Sequence, residues 1–469
     1  RRRAWHFRMN IADTSDINAF LEQYPDIQML ELLMPDINGM LRCKRIHRRE
    51  FDSLFGHSLK APLSVPLLGI RGDLYDDNMD QEVLAGDPDQ LLLPIAGTLA
   101  TVPWLDSPTA QVLTGFADLD ITPSWADPRN VLAHALAKIH ESGWRPVVAT
   151  ELEFYLLEAG NTEQPRPLKG TIAGTNLKQQ GIQYCMADDL IDCDAFLDDV
   201  RAACDVHHVP LTAIHSEFSA GQWEINTHHT DDPVLACDHA MLLKRIVKGV
   251  ARKHGLAATF LAKPFTDLAG SGMHIHASVY DEDGNNIFAE AAGTPPGTTS
   301  DTLRNAIGGL AATMNQSMAI FAPNANSYRR FKPGAFAPSG PTWGYNHREV
   351  ALRIPVSSPD NRRVEHRVAG ADANPYLVMA AVLGGMHQGV LANADPGDSI
   401  PAGADLSEAT VTLPQRWDAA IALFRNSTVL PEYLGQAYSE AFAAQRQGEC
   451  DDYHGRVSNL DYEWYLRAL

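Results

Sequence analysis

The sequence has little that would tie it to nucleic acid, a membrane or a disulfide framework. Its 38 Lys and Arg are outnumbered by 58 Asp and Glu, for a formal net charge of −20. Nucleic-acid binders carry clustered basic stripes, so this balance argues against that partner and suits cationic substrates instead. No apolar run reaches the roughly 18 residues of a membrane-spanning helix. Residues 1–8 are basic, but no apolar stretch follows them, which excludes a secretory signal. Met9 offers a natural start, with residues 1–8 then extraneous. The six cysteines, at 43, 185, 193, 204, 237 and 450, include no CxxC pair. Neither a zinc cluster nor a disulfide framework is indicated, and reduced thiols in a cytoplasmic protein are expected. No GxxxxGK[ST] occurs, so nucleotide phosphates would have to be neutralised by metal and arginine. Internal repeats are absent, and the one low-complexity tract is Gly293–Ser300.

What is present is length and punctuation. A chain of 469 residues, 45% hydrophobic, has ample core for two or three domains. Strands are expected at 27–33 and 40–46, around the turn Pro35-Asp36-Ile37-Asn38-Gly39. The stretch 62–89 is loop-rich and carries Asp73, Asp76, Asp77 and Asp80, which read as a solvated loop. A boundary falls near 119–125, giving a small, mostly strand part over 15–120 and a larger part over 121–469. In the larger part, Asp127-Pro128 and Asp232-Pro233 open helices that end at Gly143 and Gly255. Asn374-Pro375 opens another, with an apolar interior. Further helices are expected near 193–207 and over 301–320. Strands are expected at 146–157, 210–218, 221–227, 256–262 and 272–280, with a hairpin signal at Asp283-Gly284. The class is therefore α+β.

Several stretches carry chemistry. In TELEFYLL, Glu151 and Glu153 share one strand face and Leu152, Phe154 and Leu156 the other. Two such carboxylates repel unless water or a cation lies between them. HSEFSAGQWE supplies Glu217 and Glu224 around a glycine turn, and SGMHIHASV puts His274 and His276 on one face. Singly, each motif reads as a solvated or hydrogen-bonded strand. Together with Glu365 they make five carboxylates and a histidine on predicted strands, an oxygen-rich set that suits Mg²⁺ or Mn²⁺ better than zinc. Seven arginines fall between Arg329 and Arg367, a basic cluster in an acidic chain that points to an anionic ligand. Extended Arg363, Glu365 and Arg367 would share a face. Such a face either holds anionic oxygens or is a surface ion-pair ladder of little energetic worth.

ELEF, AGQWE, KPF…GSGMHIH, NSYRR, the NHR and RIP segments, RRVEHR and ANPYL occur in that order from Glu151 to Leu377. In this the chain resembles the glutamine synthetase family. The resemblance implies a β-grasp-like N-terminal domain and a catalytic domain of curved antiparallel strands and helices. It also implies a homo-oligomer, typically a dodecamer of two hexameric rings with sites between neighbouring subunits. By position, Glu153, Glu217 and Glu224 match ligands of a first metal, and Glu151, His274 and Glu365 those of a second, so two or more Mg²⁺ or Mn²⁺ per site. Arg330, Arg367 and the Gly270 backbone match glutamate contacts. Arg348 and Arg353 match phosphoryl contacts, and Arg363, with Arg348, His276 and Ser278, the contacts to ATP. The implied reaction joins the γ-carboxylate of L-glutamate to an amine at the expense of ATP, through γ-glutamyl phosphate. The sequence departs from the family at Phe336, in Pro333-Gly334-Ala335-Phe336-Ala337-Pro338, where ammonia-using enzymes carry a glutamate in the flap. LSEATVTLP also lacks the tyrosine adenylylation segment. NSYRRFKPG and VAGADANPYLVMAA look more like the branch whose substrates are polyamines such as putrescine. An ammonia-using glutamine synthetase and a non-catalytic regulatory relative are the alternatives, and the six ligand-type side chains argue against the latter.

Overall fold

The structure, a computed structural model, describes residues 9–75, 79, 84–160, 164–291, 293–294, 298–332, 337–406 and 411–469. Phe336, Asp76, Asp77 and Asp80 lie outside them, as do residues 407–410 of LSEATVTLP.

The N-terminal part holds helices α1 (Thr14–Gln23) and α2 (Phe51–Phe55) and strands β1 (Met29–Pro35), β2 (Leu41–His47), β3 (Lys60–Pro62), β4 (Asp89–Pro94), β5 (Ala100–Thr101) and β6 (Thr109–Ala117). Its mixed sheet runs β2-β1-β6-β4-β3, with β5 on β6; β1 and β6 are parallel at the centre and the other pairs are antiparallel. Alternation on β1 divides two cores, as period-two side chains must. Leu30, Leu32 and Met34 join Phe51 and Phe55 under α1 and α2, whereas Leu33 faces the larger core of the rest of the chain. The turn at 36–40 is pinned by Asp36, whose Oδ1 accepts from Asn38 N and Met40 N at 2.9 Å each. Gly39 takes φ +72 there, and a Cβ on it would meet Asn374 Cα at 2.7 Å.

The larger part opens with α3 (Pro128–Glu141) and β7 (Arg145–Leu157), then α4 (Ala187–Asp192) and α5 (Asp194–Val206). The helix expected near 193–207 is thus preceded by a separate helical turn. Next come β8 (Leu211–Ser216), β9 (Gln222–Thr227), α6 (Pro233–Lys253), β10 (Ala257–Thr259), β11 (Met273–Tyr280) and α7 (Asp301–Phe321). The last strands are β12 (Trp343–Tyr345), β13 (Leu352–Ile354) and β14 (Val364–His366). Helices α8 (Pro375–Leu391), α9 (Trp417–Arg425), α10 (Leu430–Leu434), α11 (Gln436–His454) and α12 (Asn459–Tyr465) follow. The sheet runs β12-β13-β14-β11-β7-β9-β8, with β10 on the end of β7, and is antiparallel except between β12 and β13. The Asp283-Gly284 turn forms, with Gly284 at φ +84, but only a bridge from Tyr280 to Asn286 follows it.

The three Asx-Pro openings behave as capping chemistry requires. Asp127 accepts from Arg129 N at 2.8 Å, Asp232 from Val234 N at 3.0 Å and Asn374 from Tyr376 N at 2.9 Å. Helices α7 and α8 meet backbone to backbone at Gly309, where a Cβ would lie 2.1 Å from Gly385 O. Helix α6 packs on the apolar face of β7, where Leu152 and Phe154 are buried. The opposite face of β7 is left to Glu151 and Glu153.

Candidate active site

Backbone register assembles the site. Directly paired residues point to the same side of a sheet. Glu151 on β7 pairs with His274 on β11, and Glu153 with Glu224 on β9. His276 pairs with Glu365 on β14, Glu365 with Arg353 on β13, and Glu224 with His215 on β8. One polar surface therefore spans six strands and draws on residues up to about two hundred positions apart. The turn that returns β8 to β9 needs Gly221, at φ +79, where a Cβ would sit 2.9 Å from Leu168 N.

The carboxylates converge in three groups whose ligand atoms lie within 4.8 Å of one another: Glu151–His274–Glu365, Glu153–Glu224–His274 and His215–Glu217–Glu224. The first coincides with the second-metal set expected from the family. The other expected set, Glu153, Glu217 and Glu224, is spread over the remaining two groups, which share Glu224 and add histidines. Glu151 Oε2 is 3.0 Å from His274 Nδ1, and its Oε1 is 2.8 Å from His276 Nε2. Burial opposes ionisation of Glu151, yet its bonds to His274 and then His276 hold its pKa below the carboxylate range. Glu153 Oε2 accepts from Gly272 N at 2.8 Å. Among the described residues, the nearest basic group paired with Glu224 is His215, with Nε2 3.8 Å from its Oε1. Burial, then the charges of Glu151, Glu153 and Glu217, push its pKa up to about 9. A buried carboxylate among three others is what a divalent cation would relieve, and an all-oxygen set with imidazole suits Mg²⁺ or Mn²⁺.

The arginines enter from the other side. Glu365 is 1% exposed, so the RxExR stretch is not a surface ladder. Arg353 Nη1 donates to its Oε2 at 2.6 Å and Arg367 Nη1 to its Oε1. Burial works against the ionised form, but Arg367, then His274 and His276, bring its pKa down to about 2. Strand β14 covers only three residues, yet Arg363 still reaches the same side, with Nε 3.3 Å from His276 Nδ1. Ser278, two residues on from His276, donates weakly to Val147 O at 3.4 Å. Arg330 ends a short 3₁₀ turn, Ser327–Arg330, and is 5% exposed. It donates to Val368 O at 2.7 Å. The glycines of GSG admit it: a Cβ on Gly270 would lie 2.7 Å from Arg330 Cγ, and one on Gly272 2.7 Å from Arg330 Nη2. Asp372 secures that turn, accepting from Asn324 Nδ2 at 2.8 Å and Ser327 Oγ at 2.7 Å.

Arg348 alone among the expected arginines stands apart. It is exposed on the loop between β12 and β13, and among the described residues it makes no ion pair with the carboxylates. Its charge acts on Tyr184, whose phenol is raised by burial and by Glu217 and lowered by Arg348. Three neighbours escape a reading of the sequence. His215 Nε2 lies 3.2 Å from Glu217 Oε1, Gln222 Nε2 donates to Gly270 O at 3.0 Å, and Asn226 Nδ2 donates to Glu224 Oε1 at 3.0 Å. Each sits two residues from a carboxylate already singled out, so strand periodicity would have found all three.

Comparison with known proteins accords with this geometry. Residues 125–465 match the model of the glutamine synthetase catalytic domain. The chain is 36% identical over 461 residues to gamma-glutamylputrescine synthetase PuuA of Escherichia coli (strain K12), covering 98% of this chain and 96% of that protein. It is 33% identical over 467 residues to glutamate–isopropylamine ligase of a Pseudomonas species, covering 97% and 98%. A solved structure of GmaS in complex with ADP superposes with a TM-score of 0.80 at 25% identity, covering 96% of this chain and 99% of that one. With a carboxylate–histidine–arginine face assembled by strand register and the catalytic-domain model matched over most of its length, the chain belongs to the glutamine synthetase family.

Proposed function

We propose that the protein is an ATP-dependent ligase that joins the γ-carboxylate of L-glutamate to a primary amine, with a diamine or polyamine such as putrescine or spermidine preferred. ADP and phosphate are the other products. The observation that carries the reading is the buried face on which Glu151, Glu153, Glu224, His274 and Glu365 meet Arg330, Arg353 and Arg367. The γ-carboxylate must attack the γ-phosphate of ATP, and two anions approach only where positive charge is concentrated and prepositioned. In this reading Glu153, Glu217 and Glu224 hold one divalent ion and Glu151, His274 and Glu365 another. Those ions, when bound, supply charge neutralisation at the phosphates. Arg367 and Arg330, with the Gly270 backbone, hold the glutamate carboxylates. Arg353 and Arg348 face the phosphoryl group in transfer, Arg348 from an exposed position between β12 and β13. Arg363, His276 and Ser278 take the nucleotide. The product, γ-glutamyl phosphate, is then open to the amine.

The amine preference rests on Phe336, which replaces a flap carboxylate able to bind ammonium and accept its proton. An aromatic ring offers instead a face for methylenes and a cation–π contact to an alkylammonium. The relatives named for putrescine and isopropylamine support the same direction. We further take residues 15–120 and 121–469 as the two domains of a cytoplasmic homo-oligomer, a dodecamer of two hexameric rings with sites completed by neighbouring subunits. The test is glutamate- and ATP-dependent phosphate release with putrescine, spermidine, isopropylamine and ammonium in parallel. A higher kcat/KM for the diamine than for ammonium is expected, and Phe336→Glu should narrow or reverse that ratio. A wild-type preference for ammonium would replace this reading with glutamine synthetase.

A further inference from the structure

On the reverse of the β7 sheet, away from the carboxylate face, a cleft of about 580 Å³ separates α6 from the β1–β2 hairpin. Six cationic side chains line it: Arg42 and Arg45 from β2, and Lys244, Arg245, Lys248 and Arg252 from α6. Among the described residues, the single lining carboxylate is Glu31, in a chain where acids outnumber bases. Glu31 is already shared by Arg45, at 2.5 Å, and Arg245. Arg42 is paired at 2.9 Å with Asp36, buried behind it. Among the described residues, Lys244, Lys248 and Arg252 have no ion-pair partner. These three recur every fourth position on one helix face, a like-charge arrangement that destabilises a helix unless something anionic lies along it. Lys244 is 8% exposed, and its ammonium has one protein acceptor, Ala373 O at 3.0 Å. Burial, and then the charge of Lys248, lower its pKa to about 7. Gly249 leaves the floor of the cleft to Trp104, whose ring would be 2.5 Å from a Cβ there and carries Arg245 over its face at 5.7 Å.

A basic cleft only partly compensated, with guanidinium forks on one wall and both ammonium and guanidinium groups on the other, is the chemistry of phosphate recognition. We propose that this cleft binds a small molecule carrying two or more phosphate groups, at a site separate from the catalytic face. The proposal stands independently of which amine the enzyme uses.

Isothermal titration calorimetry of the full-length, assembled protein with sodium pyrophosphate in EDTA tests it. EDTA removes the divalent ions that would otherwise recruit pyrophosphate to the carboxylates of the catalytic face. One site per chain is expected. Lys248→Gln combined with Arg252→Gln should weaken it roughly tenfold or more, the loss expected when charge-assisted bonds are removed, while Arg348→Ala leaves it unchanged. Arg45→Gln, on the opposite wall, supplies the same test should the double variant lose its assembly in sedimentation. Absence of binding to the wild type, or binding that survives both sets of substitutions, overturns the proposal. Citrate binding more tightly than pyrophosphate overturns the phosphate class. Disassembly of the variants together with no binding to the wild type would identify the cleft as a contact between copies instead.

Discussion

Glu224 is the residue at which the site's electrostatics are least balanced. Its carboxyl is raised to about 9 by burial and by Glu151, Glu153 and Glu217, against an unperturbed 4.5. Folding without metal therefore takes up a proton across that window, and the folded state binds more protons than the unfolded one. Stability then falls as pH rises from about 4.5 toward 9. Glu224→Gln removes the titrating group. In EDTA its Tm should fall less between pH 5 and pH 9 than that of the wild type. Mg²⁺ should raise the Tm of the wild type more than that of the variant, which keeps the Glu151–His274–Glu365 set, with turnover abolished in the variant. Parallel pH profiles for the two proteins would contradict this account. Arg367 makes a second residue-scale case. Its guanidinium donates to Glu365 and, as proposed, also to glutamate, two directions that a fork can serve and an ammonium cannot. Arg367→Lys should raise the KM for glutamate by roughly tenfold or more, about one lost charge-assisted hydrogen bond, with circular dichroism unchanged. An unaltered KM would make Arg367 purely structural.

At the scale of elements, one asparagine ties helix α8 to the hairpin of the first sheet. Asn374 caps α8 through its Oδ1, and its Nδ2 donates to Asp36 O at 2.9 Å, in the turn of the β1–β2 hairpin. Arg446 on α11 reaches the same turn, donating to Asn38 Oδ1 at 2.8 Å. Asn374→Ala removes a cap worth about 1 kcal/mol and takes from the buried Asp36 carbonyl one of its two donors, Gly39 N at 3.0 Å being the other, for about 1 kcal/mol more. Asn374→Ser keeps a capping oxygen and loses the amide donor. Urea denaturation should show a loss of about 2 kcal/mol for the first and a smaller one for the second. Equal losses would mean that the cap contributes nothing. The capping signal is legible in the sequence as Asn374-Pro375, whereas the bond to Asp36, 338 positions away, is not.

For the whole molecule, the proposed assembly makes its own prediction. If neighbours complete each site, conditions or substitutions that yield monomers should abolish activity along with the ring. Sedimentation analysis alongside phosphate release checks this, and a fully active monomer would refute the shared site. Acidic net charge and exposed apolar residues at the C-terminus, among them Trp464 and Leu466, belong to the same scale and are open to the same measurement.

The sequence by itself determined the α+β class, the three Asx-Pro helix starts and nearly every strand around the site, because capping and period-two alternation are local and leave their mark within a few residues. It also determined which side chains share a face within each strand, so that alternation alone puts Glu151 with Glu153 and His274 with His276. Only the tertiary structure decided how the strands register. That register sets Glu153 against Glu224, gives Glu365 to Arg353 and Arg367, and brings His215 into the cluster. It also buried Glu365, turning an apparent surface ladder into part of the site, and left Arg348 outside. The physical reason is that pairing between distant strands depends on the whole hydrophobic pattern and on every intervening turn. A one-residue slip would send each of these side chains to the opposite face, and no short window of sequence records that choice.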